Sequence, residues 1–412
     1  MIMIMMMMIM MIMMINGKKI DIQRIHFKYN EILMIMIIII MMMSVGVIGK
    51  KTADVPRIHF KYPDILLIGV MKGATTQLSN LLRDNPAICN YGEKEKHFFI
   101  GNDYASNYEA SVQKYLDEFK GCKEAQLTLD ATPGYSVEPY VIDRMMETYT
   151  ADEWAKKKFI YIIREPVARH YSEYQMEVRL CLDLDEDLKS NNQIEYRHWR
   201  HERACENVMS DYHNKRNDPA TSSKGYNKAA RILTFHEWCM TSHGRLELRR
   251  GNYKEVILRF LNKIRRDQFF LINFDQLITN TTSVMVGMNN FLELKDKQRF
   301  SNHTMLPVPH KSAGKVVPTV LDCVTVEMLQ RYFQYANGGN IDSWIRNMTS
   351  SRDGVDFGVF SDPTKKCVKL HSNNSSQEMK AAYPASTWTF VEDTINMHAD
   401  VRLHGSTDGD RR

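Results

Sequence analysis

Residues 65–70 form an unbroken apolar run, after which Leu78, Leu81 and Leu82 recur at helical spacing. A continuous run of this length reads as a parallel strand buried on both faces, and the three-to-four spacing as an amphipathic helix. Between them stands Met71-Lys72-Gly73-Ala74-Thr75-Thr76, so the pattern predicts a strand, a tight turn and a helix. The same order returns at 158–163, an apolar run that leads into Arg164-Glu165-Pro166. Pro166 suits the first turn of a helix, and Val167, Tyr171 and Tyr174 make an apolar stripe along it. Residues 126–130 and 268–273 read as further short strands, and 284–294 and 324–344 as packing helices. Residues 182–225 are polar and charged without a strong period and read as an insertion. From 350 onward Ser, Asp and Asn dominate, which predicts an irregular tail. Strands alternating with helices predict an α/β fold with a parallel sheet flanked by helices.

The two strand-to-helix junctions carry the chemistry. A helix N-terminus offers free backbone N–H groups and the positive end of a dipole. Gly73 lets the backbone approach an anion closely; Lys72 adds a charge, and Thr75 and Thr76 add donors. The ligand this predicts carries phosphate. The generic nucleotide-binding loop, G-x-x-x-x-G-K-[ST], does not fit. Counted from Gly69, the second glycine comes one place early and the lysine precedes it, which disfavours a nucleoside-triphosphate kinase. Arg164 sits at the carboxyl end of a strand, where open parallel sheets bind ligands, and Ser172 lies along the following helix.

The first junction resembles the 5′-phosphosulfate-binding loop of sulfotransferases that use 3′-phosphoadenylyl sulfate (PAPS). The second resembles their 3′-phosphate motif, an arginine followed eight positions later by a serine. Lys94-Glu95-Lys96-His97-Phe98-Phe99 is similar to the K-E-x-H-F-F segment of glycosaminoglycan sulfotransferases, and Asp130-Ala131-Thr132-Pro133-Gly134-Tyr135 to their substrate-side T-P-x-Y turn. The four motifs stand in the family's order over residues 62–344. The likeness is to carbohydrate sulfotransferases, including the chondroitin GalNAc-4-sulfate 6-O-sulfotransferase and heparan sulfate branches. Ala131 departs from the heparan 3-O branch, where a lysine often precedes the T-P pair, so chondroitin or dermatan sulfate is favoured over heparan sulfate as acceptor.

The resemblance implies a nucleotide-binding-type parallel α/β sheet over 62–349. It assigns the 5′-phosphosulfate to Lys72, Gly73, Ala74, Thr75 and Thr76, and the 3′-phosphate to Arg164 and Ser172. It makes Glu95 the general base, Lys72 the stabiliser of the leaving oxygen, and His97 an acceptor-orienting or proton-sharing partner. No metal is called for. Competing readings stand beside these. Glu95 between two lysines also fits a solvated, salt-bridged turn, and His97 a hydrogen-bonded core histidine. Phe98 and Phe99 read as core, 156–158 as a solvated strand entrance, and Lys311 and Lys315 as a surface loop.

Composition narrows the picture modestly. The chain has 412 residues, is 44% hydrophobic and carries a formal charge of +5. That suits an anionic co-substrate and a polyanionic glycan; no recognised nucleic-acid motif accompanies the charge. Residues 1–14 are Met and Ile alone, and 32–48 form an uncharged apolar run at the lower limit of a membrane span. With the resemblance, this run reads as the signal anchor of a Golgi protein whose catalytic domain is lumenal. Residues 24–29 recur as 57–62, too short for a repeat fold. Sequons at Asn280, Asn302, Asn347, Asn373 and Asn374 fit the secretory route. Seven cysteines allow disulfide pairs with at least one thiol left over; Cys181 and Cys205 bracket the charged insertion.

Overall fold

The computed structural model describes residues 62–89, 92, 94–101, 104, 107–189, 195–210, 231–295, 299–300, 321–349, 357 and 359–368. The predicted anchor, Lys311, Lys315 and most of the C-terminal tail lie outside them.

Five parallel strands make the sheet: β1 (Ile65–Gly69), β2 (Ile88–Cys89), β3 (Leu127–Ala131), β4 (Lys158–Ile163) and β5 (Phe269–Asn273), in the order β2-β3-β1-β4-β5. Ile65 pairs with Leu129 on one side and Lys158 on the other, and Phe159 with Phe269. Successive residues of each strand enter opposite faces. Leu66, Ile68, Phe159, Tyr161, Phe269 and Leu271 belong to one core; Ile65, Leu67, Ile160, Ile162, Phe270 and Ile272 belong to the other. This two-sided burial explains why β1, β4 and β5 read as unbroken apolar runs and not as alternating ones.

One face is covered by α2 (Tyr108–Asp117), α3 (Val141–Thr148), α9 (Tyr253–Leu261) and α13 (Ile341–Thr349). The other is covered by α1 (Thr75–Arg83), α10 (Phe274–Thr279) and α11 (Thr281–Phe291). The short helix α4 (Ala151–Trp154) precedes β4 and is held by a capping box on Thr150. A third core joins α5 (Pro166–Lys189), α6 (Glu195–Val208), α7 (Phe235–Met240) and α12 (Cys323–Ala336) around Trp238 and Tyr332; α8 (Ser242–Glu247) follows α7.

Three expectations change. The polar stretch from 182 contains the end of α5 and the helix α6, and Cys181–Cys205 ties the two together. Lys157 is no solvated entrance: it is buried, 3.8 Å from Asp64 and 4.7 Å over the Tyr149 ring. Lys158 does reach the surface, paired with Glu293 at 2.8 Å. Part of the tail returns to the fold, with Phe357 buried and Cys367 bonded to Cys323. A further disulfide joins Cys89 to Cys122, and Cys239 is a buried free thiol.

Candidate functional site

The strand order leaves β2 and β3 on one side of β1 and β4 and β5 on the other. The loops after β1 and β4 therefore diverge at a topological switch point, the place where open α/β sheets bind ligands.

After β1 the backbone turns sharply. Gly69 has φ +154°, and a Cβ there would lie 2.4 Å from Ser136 Oγ and 3.1 Å from the Pro133 carbonyl. A Cβ on Gly73 would meet the Val70 carbonyl at 2.9 Å. Lys72 and Ala74 take left-handed backbones, φ 69° and 66°. Ala74 is the N-cap of α1 and supplies no side-chain acceptor, so no side chain caps the opening N–H groups of the helix. Thr75 is buried and Thr76 exposed, so of the two hydroxyls Thr76 carries the solvent-facing one.

The Lys72 ammonium is mostly buried, and among the described residues no hydrogen bond or ion pair reaches it. Burial, opposed by Glu173 and reinforced by Arg179, Arg164 and Arg169, lowers its pKa to about 8. A mostly buried ammonium among three like charges, beside an uncapped helix N-terminus, fits an anionic ligand. The 5′-phosphosulfate group suits this donor set.

Arg164 joins the two junctions. Its guanidinium donates to the Lys72 carbonyl at 3.0 Å and lies 4.4 Å over the Phe274 ring, while its own carbonyl accepts from the Tyr253 hydroxyl at 2.7 Å. Pro166 opens α5 with Glu165 as its acceptor: the carboxylate takes the N–H groups of Val167 and Ala168. Burial pushes Glu165 up to about 7, against those hydrogen bonds. Ser172, half-buried, sits on α5 between Arg164 and Arg179 in sequence.

A buried charge network backs the loop. Arg169 pairs with Glu173 at 3.2 Å and donates to the Glu247 carbonyl at 3.0 Å. Arg250 pairs with Glu247 and lies 3.8 Å from the sulfur of Met71, the neighbour of Lys72. Burial opposes charge on Glu247, but Arg250, His243 and Arg169 outweigh it and hold that carboxyl down at about 2. Sequence reading missed this network, although Arg169 and Glu173 stand four apart on one helix face, the spacing of an intrahelical pair.

Glu95 and His97 lie side by side, Oε2 to Nε2 3.7 Å, with Lys94 ion-paired to the other carboxylate oxygen. Both lie in left-handed backbone, φ 65° and 56°. Of the five non-glycine residues with positive φ among those described, four are Lys72, Ala74, Glu95 and His97; such backbones cluster at functional sites. His97 is exposed, at 56%, which removes the core reading. Phe98 and Phe99 are buried, as expected. In the T-P-x-Y turn the tyrosine faces inward. Tyr135 is wholly buried with its hydroxyl on Asp130, so it offers no phenol to a substrate; burial pushes that phenol well above its ordinary pKa.

The fold and the two joined junctions place a cationic, uncapped helix N-terminus at the switch point of a parallel sheet. The Sulfotransferase domain family model matches residues 62–351, and the chain belongs to that family. It is 30% identical over 112 residues to the membrane-associated sulfotransferase kil1 of Dictyostelium discoideum, covering 27% of this chain and 22% of that protein. It is 23% identical over 227 residues to heparan sulfate glucosamine 3-O-sulfotransferase 5 of Mus musculus, covering 55% of this chain and 52% of that protein. The chain thus spans about half, or less, of the curated relatives it matches. Among solved structures, the sulfotransferase from Alicyclobacillus acidocaldarius is 18% identical with a TM-score of 0.40, covering 69% of this chain and 100% of that one.

Proposed function

We propose that this protein transfers a sulfuryl group from PAPS to a sugar hydroxyl of a glycosaminoglycan. The observation that carries the reading is the junction of Lys72 and Arg164, where the loop resembling a 5′-phosphosulfate site bonds directly to the arginine of the 3′-phosphate motif. Lys72 and the backbone of 73–76 hold the phosphosulfate, and Arg164 with Ser172 holds the 3′-phosphate, for which a planar guanidinium fork is suited. Glu95 takes the proton from the acceptor hydroxyl as its oxygen attacks sulfur. The bond from sulfur to the bridging phosphate oxygen breaks, and Lys72 offsets the charge left there. His97, beside Glu95, orients the acceptor.

A relative named for heparan sulfate supports a glycosaminoglycan acceptor. Ala131 keeps chondroitin and dermatan sulfate first among acceptors, with heparan sulfate beside them. Three disulfides support an oxidising compartment; we assign the Golgi lumen, with 32–48 as anchor. The test is transfer of radiolabelled sulfate from PAPS to a panel of glycosaminoglycans. Label in a glycosaminoglycan product is expected. Binding of 3′,5′-adenosine diphosphate without transfer to any acceptor would contradict the reading.

A further inference from the structure

Asp130 takes no part in the chemistry above, yet it is the best-served carboxylate near the site. It is wholly buried at the end of β3. Its Oδ2 accepts from the hydroxyls of Tyr115 at 2.7 Å and Tyr135 at 2.8 Å, and its Oδ1 from Thr132 at 2.7 Å. The two tyrosine rings grip the residues that follow His97. Phe98 stacks on Tyr115 with centroids 4.2 Å apart and planes 7° apart. Phe99 meets Tyr135 edge-on at 5.4 Å and Tyr115 at 5.7 Å.

The upstream side of the loop is tied to the same strand end, where the Glu95 N–H donates to the Ala131 carbonyl at 3.2 Å. Between the two candidate residues Lys96 turns inward. Its side chain is 3% exposed, 5.0 Å over the Phe119 ring and 3.4 Å from Glu118. Glu95 and His97 are left facing out, and both are left-handed. Such backbones persist only where the surroundings over-determine them. Burial raises the Asp130 pKa while the three hydroxyls oppose the rise, which accords with an acceptor committed to those donors.

We infer that Asp130 is a positioning residue: by holding the Tyr115 and Tyr135 hydroxyls it clamps Phe98 and Phe99, and so fixes the loop that presents Glu95 and His97. The inference rests on the reading of Glu95 as the base. Asp130→Asn and the milder Tyr135→Phe test it, with Tyr135→Phe retaining the ring should the first fail to fold. Amide exchange in 94–100 is expected to rise about tenfold in either variant, with 159–163 unchanged. Affinity for 3′,5′-adenosine diphosphate should hold, and kcat should fall about tenfold or more at nearly constant KM. In a Glu95→Gln background that loss should vanish, since no base remains to misplace. Unchanged exchange at 94–100 beside an active wild type, or an undiminished kcat loss in the Glu95→Gln background, overturns the inference alone. A wild type that transfers no sulfate overturns it together with the reading it rests on.

Discussion

Lys72 shows what a candidate site residue costs its fold. Its pKa of about 8 lies below the ordinary 10.5 because burial and neighbouring arginines disfavour the charge. Between those values the unfolded chain holds more protons than the folded one, so stability rises with pH across that window. Below about 8 the ammonium is therefore a penalty, of about 3 kcal/mol. Lys72→Met should raise the thermal midpoint and remove binding of 3′,5′-adenosine diphosphate; a lowered midpoint would contradict the penalty. In the wild type that affinity should weaken as pH rises through about 8, where the ammonium loses its proton. Titration calorimetry on either side of that pH checks it. At this scale Lys72 and Arg164 stood out at strand ends just before Gly73 and Pro166, while Glu95 was singled out through the resemblance of the 94–99 segment. Asp130 was not: it lay inside a quoted motif, but its three donors come from α2, from its own strand end and from the turn beyond.

Among the elements, β1, β4 and β5 were legible because strands buried on both faces spell apolar runs, and β3 as a short stretch, Leu-Thr-Leu-Asp-Ala, that alternates apolar and polar residues. β2 was missed because it has only two residues, Ile88–Cys89, and takes its place by pairing with β3. In the third core α5 and α12 were read from their apolar stripes, whereas α6 and α7 were missed. The sequence over 182–208 is so rich in charged residues that the buried Cys205 and Val208 of α6 did not stand out. The Cys181–Cys205 disulfide stands where those helices pack, remote in sequence from Lys72 and Glu95. Replacing both cysteines by serine should lower unfolding free energy by about 2–4 kcal/mol and leave nucleotide affinity unchanged. Denaturant melts beside a binding titration measure both. An unchanged midpoint would mean that the link adds nothing to the packing of α5 on α6.

Across the whole molecule, the sheet order brings residues distant in sequence to one edge. Lys72 follows β1 and Arg164 follows β4, while Glu95 is tied to the end of β3. The order of the motifs along the chain does not reveal this; the parallel sheet order sets the ends of β1, β3 and β4 along one edge. The basic charge fits this edge, where Lys72 lies in the field of three arginines. The central claim is that this edge performs sulfuryl transfer with Glu95 as the base. The most direct measurement is the rate of sulfate transfer from PAPS by wild type and by Glu95→Gln, with 3′,5′-adenosine diphosphate affinity measured on both. A fall in kcat of about a hundredfold or more at unchanged affinity is the result expected; transfer at the wild-type rate by Glu95→Gln would contradict it.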